Sequence, residues 1–141
     1  MATISRFEEI RAWQTARELT RRIYAVSGQK AFSRDYGLRN QIRRASVSIM
    51  SNIAEGFESE TRPMFIHYLG HAKASAGEVR AQLYVALDIG YIDEDAFKAL
   101  FDLAEKASRQ ISRFMTYLKS HPTSQSTREG RTAYVIDPEA E

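Results

Sequence analysis

A chain of 141 residues, 43% of them hydrophobic, has room for one domain with its own core, and the absence of cysteine excludes disulfides, thiolate metal sites and cysteine nucleophiles together. Its longest apolar run, Leu83 to Leu87, falls far short of the roughly 20 residues a membrane-spanning helix needs, and Met1 to Ile10 lacks a basic stretch followed by an apolar block, so a cytoplasmic protein with no membrane partner is expected. The net charge is only +2 but is unevenly spread: ten basic residues stand against four acidic ones from Met1 to Arg44, a local +6 that leaves −4 for the rest.

Ser5 and Glu8 have capping-box spacing, and Trp13, Ala16, Leu19, Ile23 and Val26 follow at helical intervals. A first helix is therefore predicted to run to Gly28, with a left-handed stop there. After a turn around Ser33 to Asp35, a second helix carries two apolar stripes. One holds Leu38, Ile42, Ala45, Ile49 and Ile53, the other Val47, Met50, Ala54 and Phe57, so it should bury more than one side. Gly56 is expected to end it. Thr61 and Pro63 mark the start of a third helix, where Phe65, Leu69, Ala72, Ala76, Val79, Leu83 and Ala86 recur. Gly90 should close that helix and Asp93 cap a fourth, with Ile92 and Phe97 placed as a hydrophobic staple and Leu100, Ala104, Ala107, Ile111, Phe114 and Leu118 beyond. Long helices with three-four spacing and short turns predict an all-α fold, an up-and-down antiparallel four-helix bundle over residues 1–119. No segment shows the alternation of a sheet. Residues 120–141 read as a C-terminal tail: a polar stretch from His121 to Gly130, then an apolar patch, Tyr134, Val135 and Ile136, that either docks on a neighbouring subunit or stays mobile.

The chemistry of an active site is not apparent. None of His67, His71 and His121 has a Glu three residues before it, which removes the carboxylate-metal bundle pattern. His67 and His71 stand one helical turn apart, but two ligands without a third are weak evidence for a metal. There is no phosphate-cradling glycine loop. Glu55 and Glu78 have the residue type of an acid–base pair, yet carboxylates in bundles more often partner arginine. No catalytic residue, cofactor or metal is expected.

The second helix holds the most unusual stretch, Gln41 to Gly56. A polar line of Arg44, Ser48, Ser51 and Glu55, with Gln41 and Asn52 beside it and Glu78 across on the third helix, suggests an ordered seam within the bundle or between subunits. Arg39 and Arg43 lie one turn apart, with Arg34 just upstream and Arg17, Arg21 and Arg22 along the first helix. Such a set suits phosphate and would give a salt-dependent, largely sequence-independent affinity for nucleic acid. A solvated face with i,i+4 pairs, such as Glu18 with Arg22, explains the same residues equally well.

The motif Leu38-x-x-Gln41-Ile-Arg-Arg-Ala45, then Ser48-Ile49 and Ser51-Asn-Ile-Ala-Glu-Gly56, preceded by Trp13-Gln14 and Ala16, closely resembles the four-helix-bundle family of 23S rRNA intervening-sequence proteins. The likeness continues through Phe65, Leu69, Ala72, Ser75 and Glu78 to Gly90-Tyr91-Ile92 and spans roughly Phe7 to Leu118. The chain departs from the family at Lys73-Ala74, where a glycine is usual before Ser75. The resemblance implies a homo-oligomeric ring, a pentamer, with a basic surface. A related branch, the accessory variability protein of diversity-generating retroelements, binds nucleic acid and a reverse transcriptase. Two functions are therefore expected to compete. One is a nucleic-acid-binding oligomer, RNA being the ligand, in which Arg39 and Arg43 of each subunit form a ring of positive charge and Arg44 joins seam to surface. The other is a protein-interaction scaffold, for a reverse transcriptase or another polypeptide, in which the second apolar stripe matters more than the arginines.

Overall fold

The computed structural model of the chain describes residues 2–121, 125–128 and 131–136. Four helices form its body: α1 (Arg11–Ser27), α2 (Tyr36–Glu58), α3 (Arg62–Ile89) and α4 (Glu94–Ser120). Each packs on the next and α4 returns against α1, so four rods enclose one core. The three-four stripes supply that core. Leu19, Ile23, Ile42, Ile49, Ile53, Leu69, Leu83 and Ile111 are all fully buried, and each such side chain contributes about 1.5–3 kcal/mol relative to exposure.

Several helix boundaries follow the sequence signals. Asp35 Oδ1 accepts from the Leu38 N–H at 3.1 Å, Thr61 Oγ1 from Met64 N–H at 3.3 Å and Asp93 Oδ1 from Ala96 N–H at 2.8 Å, each satisfying an amide that the helix leaves unpaired. Gly90, at φ 87°, ends α3 in the left-handed region.

Other boundaries differ, for identifiable reasons. Ser5 grips Glu9 rather than Glu8, and a 3-10 turn at Phe7–Glu9 separates that contact from α1, which begins after Ile10 without a side-chain cap. Gly28 sits at φ −91°, ψ 0°, so it ends α1 without a left-handed residue. Gly56 does not stop α2, which continues to Glu58. Its missing side chain serves packing instead: a Cβ there would stand 2.8 Å from a ring carbon of Phe65 and 2.9 Å from Tyr68 Cβ. The second stripe of α2 is also mostly core, with Phe57 buried, Met50 and Ala54 half-buried and Val47 alone exposed.

The chain also forms a small sheet that its sequence did not reveal. β1 (Ala2–Ile4), β2 (Gln125–Arg128) and β3 (Arg131–Ile136) are antiparallel in the order β1-β3-β2, with Ala2 opposite Ile136 and Ile4 opposite Tyr134. Ile4, Tyr134 and Ile136 are buried and Val135 is half-buried, an alternation too short to register beside helices several times longer. The apolar patch of the tail thus lies on the bundle of its own chain. Tyr134 packs its ring against Phe57 and Phe65, with centroids 5.6 and 4.9 Å away, and Tyr117 donates its hydroxyl to the Val135 carbonyl at 2.8 Å. The rest of the tail, 122–124, 129–130 and 137–141, lies outside the described residues.

Candidate nucleic-acid interface

The arginine-rich surface is built where α1 hands the chain to α2. Phe32, in a 3-10 turn at Phe32–Arg34, is buried and stacks on Tyr91 at 5.1 Å, which anchors the connection to the end of α3. Asp35 then works twice: Oδ1 caps α2, and Oδ2 accepts the Tyr91 hydroxyl at 2.9 Å. That hydrogen bond holds the Tyr91 phenol above the ordinary tyrosine pKa, because the carboxylate favours the protonated donor. The first turn of α2 is thereby fixed against two neighbouring elements.

On this base stand Arg39 and Arg43. Arg39 donates from Nη1 to the Ser33 carbonyl at 3.0 Å and from Nε to Asn40 Oδ1 at 3.2 Å, with its guanidinium 4.7 Å from the centroid of the Tyr36 ring. Arg43 donates from Nε to Ser27 Oγ at 2.8 Å and from Nη2 to the Tyr24 carbonyl at 3.4 Å, and lies 4.5 Å from the Tyr24 ring. Both are half-buried and tie α2 to the chain before it. Arg44 and Arg34 are different. Their side chains are exposed and make no hydrogen bond or ion pair with any described residue. Tyr24, Asn40, Arg43, Arg44 and Val47 line a shallow recess of about 380 Å³.

The α1 arginines divide in the same way. Arg21 and Arg22 both bind the Glu18 carboxylate, Arg22 at 2.8 Å, and these hydrogen bonds hold Glu18 below the usual carboxylate range. The solvated i,i+4 pairing expected from sequence is therefore present for this pair. Arg17 is exposed, 5.7 Å from the Trp13 ring, beside a second recess of about 660 Å³ whose lining includes Trp13, Arg17, Arg21 and Met50 together with the carboxylates Glu8 and Glu18. Arg21 and Tyr24, like Met50 and Val47, are one turn apart, so the two recesses follow one furrow between α1 and α2.

The polar seam separates into two parts. Ser48 Oγ meets Ser75 Oγ at 2.9 Å, and Asn52 donates to the Ser48 carbonyl at 2.8 Å and to its hydroxyl at 3.0 Å, a polar knot joining α2 to α3 inside one chain. Gln41, Arg44, Ser51, Glu55 and Glu78 are exposed, and none of them bonds to that knot. Arg44 therefore does not join seam to surface. His67 and His71 are exposed with their Nε2 atoms 3.2 Å apart, and no group of three or more potential metal ligands occurs among the described residues. No described helix is long and apolar enough to cross a membrane.

Two aromatic residues of this surface were missed from sequence. Tyr36 stands three residues before Arg39, a spacing that places ring and guanidinium on one helical face and could have been noticed. Tyr24 meets its arginine across two helices, 19 residues on, so nothing local announces it.

Comparison with known proteins agrees with this architecture. No curated protein matches the chain. A crystal structure from Bacteroides thetaiotaomicron, described as a protein of unknown function from the S23 ribosomal protein family, superposes with a TM-score of 0.68 at 20% identity. The match covers 74% of this chain and 97% of that one, and at this identity it establishes the fold. The profile described as 23S rRNA-intervening sequence protein matches residues 8–113, from the turn before α1 into the C-terminal half of α4. The chain belongs to the 23S rRNA-intervening sequence protein family.

Proposed function

We propose that this protein is a non-enzymatic, homo-oligomeric nucleic-acid binder that meets RNA through the α1–α2 face. The observation that carries this reading is the charge around the α1–α2 connection. Residues 28–47 hold five cations, Lys30, Arg34, Arg39, Arg43 and Arg44, against the single anion Asp35. The carboxylate of Asp35 is already engaged by the Leu38 amide and the Tyr91 hydroxyl. The acidic start of α4, Asp93, Glu94 and Asp95, lies at the same end of the bundle, which confines the positive face to the α1–α2 side. A family named for an rRNA insert favours RNA over other polyanions. Repetition of the face in a ring, the pentamer that the resemblance implies, would turn weak contacts into useful avidity. The reading involves no catalytic residue, cofactor or metal.

The test is RNA binding measured across a salt series. Log affinity should fall linearly with log salt, and replacing Arg39 and Arg43 by Ala should flatten the slope. Because both arginines also brace the α1–α2 junction, Arg44→Ala is the cleaner probe and should reduce the slope by up to about 1 without disturbing the fold. An unchanged slope in both variants refutes the assignment.

A second reading, a protein-interaction scaffold, draws support from another surface. Tyr84, Val85 and Ile89 are exposed on the last turns of α3, an apolar group suited to a polypeptide partner or to a second copy of the chain. Capture of a partner that survives nuclease treatment and is lost in Val85→Asp would favour it.

A further inference from the structure

We propose that the α1–α2 face takes unpaired nucleotides, stacking their bases on Tyr24 and Tyr36; this rests on the nucleic-acid reading above and names the form of ligand the face accepts. The freest phosphate contacts belong to Arg34 and Arg44, whose side chains are exposed and unbonded to any described residue. Arg39 and Arg43 keep donors for a phosphate but are held in place, because each commits two guanidinium nitrogens to its own chain, Arg39 to Ser33 and Asn40, Arg43 to Ser27 and Tyr24.

What these two arginines offer besides charge is a fixed plane laid beside an aromatic ring. Tyr36 is 63% exposed and Tyr24 44% exposed, so both rings are open to a ligand. Aromatic side chains with arginine planes beside them, in a positively charged groove, are the means by which proteins hold single strands, because every base has a face to stack whatever its sequence. A duplex hides those faces within its own stack.

The two rings are carried by different helices, Tyr24 by α1 and Tyr36 by α2, and each is paired with an arginine on one face of α2. The furrow continues past Tyr24 towards Arg17 and Trp13, giving the strand a path along α1.

The experiment measures binding of the full chain to three fluorescent probes, a short oligouridine, an oligothymidine of equal length and an RNA duplex, at one fixed salt concentration. The protein should prefer the single strands. Tyr24→Ala with Tyr36→Ala should weaken single-strand binding about tenfold or more, as expected for lost base stacking, and leave duplex binding unchanged. Tyr24→Phe with Tyr36→Phe, which keeps both rings and guards against a folding defect, should bind as the parent does. Arg44→Ala should weaken all three probes alike. Equal loss on single strand and duplex, or no loss from removing the rings, overturns the proposal while leaving nucleic-acid binding intact. Failure of every probe to bind the parent protein overturns both readings. Oligothymidine bound as tightly as oligouridine supports stacking and removes the preference for RNA.

Discussion

The two ends of the bundle use aromatic residues in opposite ways. At the end closed by the sheet, Phe65 meets Phe57, Phe114 and Tyr134 with centroids 4.9–6.1 Å apart, and all four rings are buried. Where α1 passes to α2, Tyr24 and Tyr36 lie at the surface, each paired with an arginine. Rings at the first end exclude water from the core and join β3 to the bundle. Rings at the second stand beside fixed charge, which adds little to stability and leaves them able to meet a ligand. On the proposed function, stability and recognition belong to different ends of the same four rods.

The largest effect that would sharpen this contrast comes from Phe65→Ala. Phe65 is fully buried at the centre of the ring cluster, and its loss should cost about 3–5 kcal/mol in urea unfolding. Gly56→Ala tests the same end from the other side. Alanine is the better helix former by about 1 kcal/mol, but its methyl would press on Phe65 and Tyr68. A net destabilisation, within the overpacking range of about 1–3 kcal/mol, is expected; a stabilised variant would show that the approach of α2 to α3 can relax.

At the basic end the expected changes in stability are smaller. Arg43→Ala removes the bonds to Ser27 and the Tyr24 carbonyl and should cost about 1 kcal/mol. Its effect on RNA binding should be proportionally greater, the reverse of Phe65→Ala.

Tyr134 offers a milder test. Its buried hydroxyl has no hydrogen-bond partner among the described residues, and desolvation pushes the phenol up from the ordinary 10.0 to about 12, with Arg62 opposing the shift. An acid whose folded pKa is raised holds its proton more tightly when folded. Its contribution is therefore complete below pH 10 and declines as pH rises from 10 towards 12. Tyr134→Phe should match or slightly exceed the parent in stability at neutral pH and lose less of it over that alkaline window.

The smallest change in stability belongs to Glu18→Gln. This half-buried side chain pairs at the surface with the exposed Arg21 and Arg22, so thermal unfolding should not move measurably. RNA binding should tighten, because two guanidinium groups are released.

Much of this architecture was legible in the sequence because it rests on local rules. Asp93, Gly90 and the Thr61–Pro63 pair each act within one helical turn, and the core stripes follow from periodicity alone. What escaped depends on partners far along the chain. Gly56 reads as a stop until Phe65 and Tyr68 are known to lie against it. The sheet pairs Ala2 with Ile136, and neither strand is long enough to declare its period. At the candidate interface the arginines were visible. Of the rings beside two of them, Tyr36 was legible from its spacing to Arg39, but Tyr24 was not, since it reaches Arg43 across the gap between helices. Ser5 shows the converse: a correct residue type with its partner displaced by one position, from Glu8 to Glu9.

The division between the two ends can be tested directly by an NMR titration of the full protein with a short unpaired RNA, following backbone amide shifts. The account requires the changes to concentrate between Arg17 and Val47 and to leave the ring cluster around Phe57, Phe65 and Tyr134 unmoved. Shifts centred on that cluster or on the exposed face of α3, or spread evenly over the four helices, would contradict it.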